Sequence, residues 1–150
     1  QGRHEDAEAL LRSSRRDLQA VGAWIHVGLH SLNLSLLHLI RSEHDDAIIE
    51  ARKAAGHLAE SPVLAAAPAA LEAVALAGLG STEEARFHAD RAVKLQDAGS
   101  SGIRRVVASS IDVLVAAALS KPAPKDLPNV SEIRLVLQAT EAVRAAMAAR

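Results

Sequence analysis

The feature that most constrains this chain is a long stretch without formal charge. From Leu18 to Ile40 there is no Asp, Glu, Lys or Arg, and the stretch is long enough to cross a bilayer as a helix. It also contains three histidines, a glutamine, an asparagine and two serines, whose polar groups would be costly in hydrocarbon. We therefore predict a central core helix that does not span a membrane. Trp24 lies on its Ile25 and Leu32 face, so we predict that the tryptophan is largely buried.

The amino-acid composition favours helices over strands. The 150 residues include 32 alanines and 20 leucines, against one phenylalanine, one tryptophan and no tyrosine. Strands are enriched in aromatic and β-branched residues, whereas alanine and leucine are strong helix formers. A chain of this length is typically one domain. We therefore predict a single all-α domain over residues 1–150, built of five to seven helices in antiparallel hairpins.

The charge balance and the lack of cysteine exclude several kinds of site. With 17 basic and 18 acidic residues the net charge is -1, without the basic excess of a nucleic-acid-binding protein, so we predict no nucleic-acid partner. The absence of cysteine excludes disulfides and thiolate metal sites. The first residue is Gln1 rather than Met, which we interpret as an excised domain or a mature form. The sequence therefore does not decide whether the protein is cytoplasmic or exported.

Glycine, serine and proline signals divide the chain into helices. Gly80, followed by Ser81 and Glu84 in capping-box spacing, predicts a tight connection with Gly80 in the left-handed conformation. Ser42 is predicted to cap another helix, and a further helix is expected to start near Pro68. A loop is expected at 99–102, followed by an apolar stripe from residue 103. Three prolines make 121–129 an extended linker before the last helix.

Small residues repeat at helical spacing in the middle of the chain. After Gly80 the small residues are Ala85, Ala89 and Ala92, and the same spacing occurs earlier at Ala47, Ala51 and Ala54. Over roughly residues 29–98 this pattern resembles the tetratricopeptide repeat, although Ser42 stands where the family has Gly and Trp24 does not fall at the family's tryptophan position. The resemblance implies an array of helical hairpins with a groove for a peptide. A plain helical bundle is the alternative architecture.

Histidines of the long helix suggest a metal site as one alternative. His26 and His30 are four residues apart, so both imidazoles point to one side of a helix. A third ligand would have to come from His57 or Glu60, which the sequence does not place beside them. We therefore favour structural histidines and predict no metal and no other cofactor.

A second alternative is phosphotransfer through His30. The run from His30 to His38 resembles the histidine phosphotransfer bundles, which present one exposed histidine on an amphipathic helix. Those families usually place Lys and Gly after the histidine, where this chain has Asn33 and Leu34. The missing lysine removes a cation that would neutralise phosphoryl oxygens.

The apolar residues of the long helix also suggest a docking surface. They point to several sides, and a short helical array leaves part of a central helix open. We assign that open face to Leu34 and Leu37, with His30 beside them, as the partner-binding residues of a possible homodimer or a partner domain.

No phosphate-binding loop or nucleophile elbow is present, so we predict no enzyme. The predicted function is a scaffold or regulatory module that presents a groove to a protein or peptide.

Overall fold

The computed structural model describes residues 2–99 and 105–150, and it confirms the all-α class. Within these ranges the chain forms helices joined by short turns, and no strand. Most of the predicted 99–102 loop and the start of the apolar stripe at residue 103 lie outside the described residues. The helices are α1 (Gly2–Ala20), α2 (Trp24–Ile40), α3 (His44–Leu58), α4 (Ala66–Leu79), α5 (Thr82–Ala98), α6 (Arg105–Ala118) and α7 (Ser131–Ala148).

The uncharged stretch is divided between two helices rather than forming one. Helix α1 ends at Ala20, and Gly22 adopts a left-handed backbone with φ of 72° before α2 begins. Trp24 is therefore the first residue of α2 and is 52% exposed, so the prediction that it is buried is wrong. Its ring stacks on His57 at a centroid distance of 5.6 Å instead of entering the core. None of the described helices has the length and hydropathy needed to cross a bilayer.

The same backbone turn ends four helices. In each turn one residue with positive φ follows the helix, and two backbone N–H groups donate to carbonyls of its last turn, as in a Schellman motif. After α4, for example, the Gly80 N–H donates to Ala77 at 3.0 Å and the Ser81 N–H donates to Leu76 at 3.0 Å. The prediction for Gly80 is thus confirmed, with φ of 84°. The left-handed residues are Gly22, Ser42, Gly80 and Ser120.

The predicted serine caps are not formed. Ser81 occupies the cap position of α5 without a side-chain hydrogen bond to the helix, and Ser42 lies in the turn, one residue before the cap position of α3. The backbone bonds of the Schellman turn close the preceding helix, so these hairpins are held without serine capping. Two other boundaries agree with the sequence. Pro68 lies in the first turn of α4, and the 121–129 segment has no helix.

The core is built around α4. This helix is buried on nearly every side, and α2, α3, α5, α6 and α7 all pack against it. Small residues allow the helices to approach closely, and a Cβ placed on Gly28 of α2 would lie 2.7 Å from Cγ of Leu58 in α3. The repeated alanines are fully buried in the interfaces of α3 and α5; they are Ala47, Ala51, Ala54, Ala85, Ala89 and Ala92.

Candidate functional site

The leucines predicted to form a docking face belong to the protein's own core. Leu34 is fully buried and Leu37 is 7% exposed. Helices α1, α3, α4 and α7 all pack on α2, so the covering that this helix needs is supplied within one chain. The prediction that Leu34 and Leu37 offer an open surface is therefore wrong, although Leu37 also lines the channel described below. The homodimer stays a prediction.

The histidines proposed as metal ligands do not meet. His26 is exposed, His30 is half-buried with its Nδ1 2.9 Å from the His26 carbonyl oxygen, and the His57 ring stacks on Trp24. Within the described residues, the ligand atoms of His26, His30 and His57 do not come together as a possible metal site. The candidate set is therefore not supported.

A different group of possible ligands lies at the start of α3. Ligand atoms of His38, Glu43 and Asp46 are within 4.8 Å of one another. Both Glu43 oxygens already have partners, because Oε2 lies 2.6 Å from Nδ1 of His38 and Oε1 forms an ion pair with Arg41 at 2.8 Å. These contacts account for the cluster without a cation, and we infer no metal site from it.

An open apolar channel lies between α1 and α7. Both helices pack on α2, but they form no comparable interface with each other, so the surface of α2 between them is left uncovered. The resulting channel has a volume of about 500 Å³. Leu36 and Ile40 of α2 form its floor, Leu10 and Leu11 of α1 one wall, and Leu135 of α7 the other. We call this space the α1/α7 channel.

A second apolar space lies deeper, where α2, α4, α6 and α7 meet. This cavity has a volume of about 270 Å³. Leu71 of α4, together with Val107 and Ile111 of α6, contributes to its walls but not to those of the channel. Asn33, Leu36, Glu132 and Leu135 line both spaces, so the two adjoin along α2 and the first turn of α7. We call the deeper space the four-helix cavity.

Ion pairs attach the α1 wall to the rest of the domain. No residue of α1 is buried, but Arg15 donates hydrogen bonds to Glu50 of α3 and to Ser31 of α2. Nearer the start of α1, Glu8 accepts a hydrogen bond from Arg41 at 2.5 Å and one from Arg12 at 2.8 Å. The α1 wall is thus attached to α2, the following turn and α3 by charged contacts of Glu8 and Arg15.

These contacts also determine the charge states of the two carboxylates. The Arg12 hydrogen bond is the main cause that lowers the pKa of Glu8; burial opposes it and Arg41 adds to the lowering. Burial by itself raises the pKa of Glu50, but hydrogen bonds from Lys53 and Arg15 outweigh it, and the net pKa lies below its ordinary value. Both carboxylates are therefore ionised at neutral pH.

Apart from Leu37, the channel residues were missed by sequence reasoning because their pattern resembles that of ordinary core residues. Leu36 and Ile40 belong to the same helical stripe as Leu29 and differ in no local property from the covered leucines of α2. One signal was present: Asn33 interrupts this stripe, and in the structure it is exposed at the channel floor. A polar residue inside an apolar stripe can mark the place where a helix is uncovered.

Comparisons with protein-family models, with curated proteins and with solved structures found no match to this chain.

Proposed function

We propose that this protein is a non-catalytic interaction module that receives an amphipathic helix of a partner protein in the α1/α7 channel. The observation that carries the proposal is the missing contact between α1 and α7, which both pack on α2 and leave a helix-lined channel between them. An α-helix with its side chains is about 10–12 Å across, and helix-in-groove recognition uses a channel of this kind. A partner helix would complete the packing around α2.

The exposed apolar residues of the channel supply the contact area. Leu10 is 71% exposed on one wall and Leu135 is 47% exposed on the other. Burying apolar area is worth about 25 cal/mol per Å², and large apolar side chains near the centre of an interface carry most of its energy. Because these leucines lie on opposite walls, one helix can contact both with residues spaced three or four apart.

The charges at the rim favour a basic partner. Glu5 is exposed near one end of the channel and Glu132 lines it near the start of α7. Within the described residues neither carboxylate has an ion-pair partner, whereas Arg41 is engaged by Glu8 and Glu43. Complementary charge steers association and selects orientation. We expect Lys or Arg residues to flank the apolar face of the partner helix.

The arrangement of the helices in the middle of the chain, α2 to α5, is proposed to be tetratricopeptide-like. Two antiparallel hairpins, α2–α3 and α4–α5, have left-handed turns at Ser42 and Gly80 and buried alanines at equivalent positions, which supports this reading. Helix α7 packs on the first helix of each hairpin, α2 and α4, and on α6, and it occupies much of the surface that these helices share. The binding surface proposed here is therefore the part of α2 that α7 leaves uncovered.

Selection of helical peptides tests the proposal. A displayed library of amphipathic helices with varied flanking charge is selected on the intact domain, and binders are compared on Leu135→Glu and Leu10→Glu variants. Phe87→Glu is the matched control, because Phe87 is 66% exposed on α5 and does not line the channel. We expect basic amphipathic helices to be selected, with binding lost on both channel variants and retained on the control.

Folding of each variant is checked by circular dichroism, and light scattering tests whether a second copy occupies the channel instead. Selected helices that bind the two channel variants as well as the wild type would overturn the proposal. If the wild type is a dimer and Leu135→Glu dissociates it, the occupant of the channel is a second copy of this chain and not a helix of another protein.

A further inference from the structure

We propose that the four-helix cavity binds a small amphiphile with an alkyl chain of about eight carbons and a cationic or uncharged headgroup. The inference rests on the walls and mouth of the cavity and does not depend on the proposed partner helix. Its two parts are the apolar volume between α2, α4, α6 and α7, and the acidic mouth formed by Glu132 at the start of α7.

The walls select an apolar chain. Leucine, isoleucine and valine side chains from all four helices surround the space, including Leu71 at 2% exposure and Ile111 at 1%. An apolar cavity of roughly 150 Å³ is large enough for benzene, and water gains little in such a space because it finds too few polar partners. The cavity here is about 270 Å³, so it accepts a longer hydrocarbon.

The mouth selects the headgroup. Among the residues that the structure describes (2–99 and 105–150), the polar ones lining the cavity are Asn33, Ser110 and Glu132, and none is Lys or Arg. The Ser110 hydroxyl donates to the Val106 carbonyl at 2.8 Å, which leaves its oxygen as an acceptor. The exposed Glu132 carboxylate attracts an ammonium group, accepts from a hydroxyl and repels a carboxylate. An alkyl amine or alcohol is therefore favoured over a fatty acid.

Three ligands of equal chain length separate these contributions. Octylamine, 1-octanol and octanoate are titrated into the intact protein at submicellar concentration, and binding is followed by NMR and calorimetry. We expect octylamine to bind most tightly and octanoate most weakly. Contacts between the alkyl protons and the methyl groups of Leu71 and Ile111 place the ligand in the cavity, because these residues do not line the channel.

Variants test the walls and the mouth separately. Val107→Phe fills the cavity and is expected to weaken octylamine about tenfold or more, an amount that calorimetry resolves easily. Val93→Phe, on α5 and 39% exposed, is the matched control and is expected to leave the affinity unchanged. Glu132→Gln is expected to remove the preference for octylamine over octanol while octanol binds as before.

Two results would overturn the inference. One is equal affinity for octanoate and octylamine in the wild type, which would show that the acidic mouth does not select the headgroup. The other is the absence of alkyl contacts to Leu71 and Ile111 in the wild type, a result that does not depend on whether any variant folds.

Discussion

Replacing glycine by alanine at three helical positions distinguishes helix propensity from close packing. Gly56 in α3 has open space around it, because a Cβ added there meets no atom within 4 Å. At Gly78 in α4 the added Cβ would lie 2.5 Å from Nε2 of His44, and at Gly28 in α2 it would lie 2.7 Å from Cγ of Leu58. Real Cβ atoms do not approach neighbours this closely, so the packed side chains would have to move.

The magnitudes follow from two opposing contributions. Alanine in place of glycine favours a helix by roughly 0.5–1 kcal/mol, so Gly56→Ala should raise the free energy of unfolding by about this amount. Overpacking a well-filled core costs roughly 1–3 kcal/mol. His44 is 9% exposed and Leu58 is fully buried, so neither side chain has free space to enter. For Gly78→Ala and Gly28→Ala we expect a net loss of about 1 kcal/mol, which combines these two effects.

Urea unfolding followed by far-ultraviolet circular dichroism measures these differences, with Gly56→Ala as the internal control. The gap between Gly56→Ala and Gly78→Ala should be about 2 kcal/mol, or roughly 4–8 °C in the melting temperature. The urea dependence of each variant should match that of the wild type, which shows that the same surface is exposed on unfolding. Equal stabilisation by all three substitutions would refute the close packing of α2 on α3 and of α4 on His44.

Three further outcomes are expected. Burial is the main cause that lowers the pKa of His44, and the Arg150 charge adds to it, so the unfolded chain binds the proton more readily and stability should fall as the pH drops below about 6.5. His44→Gln should flatten this pH dependence in urea unfolding, and an unchanged slope would contradict the assignment. Glu50→Ala removes a buried carboxylate, leaves the partly buried Arg15 without its ion-pair partner and should cost about 3 kcal/mol of unfolding free energy. Lys53→Ala removes a half-exposed partner and should cost less than about 1 kcal/mol, so equal losses would count against the arrangement. Trp24 should show solvent-like fluorescence that is readily quenched, and a blue-shifted, protected emission would contradict its exposure.

Turn geometry shows how far local sequence determines this fold. Gly80 was predicted because a residue without Cβ fits a left-handed turn at little cost. Ser42 has the same role with φ of 60°, but serine more often caps helices, and sequence reasoning placed it there. The bonds that close the turn join backbone groups, so no side-chain pattern records them. Composition and the positions of glycine, serine and proline therefore predict the helices. The hydrogen bonds that close the turns depend on the conformation of the folded backbone.

The candidate site was less accessible to prediction because it depends on contacts between distant parts of the chain. Its walls come from α1 and α7, at opposite ends of the chain, and no local pattern states how far apart they lie. Leu34 and Leu36 illustrate the difficulty: they are two residues apart on one helix, yet the first is fully buried and the second lines the channel. Similarly, Glu50 and Arg15 resemble solvated charges in the sequence, and only the packing of α1 shows that they pair.

Because α1 is attached by ion pairs and contributes no buried residue, it can move and change the width of the channel without loss of core packing. Local opening of α1 would expose no buried residue of that helix and would break the ion pairs of Glu8 and Arg15, so its amide hydrogens should exchange well before those of α4. One wall of the channel can therefore shift while α2, α4 and α7 keep their packing. A binding surface with one movable wall, α1, and one fixed wall, α7, can accommodate helices with side chains of different size. Salt screens the ion pair of Glu8 with Arg41, so a higher salt concentration would widen the range of helices that fit without unfolding the domain.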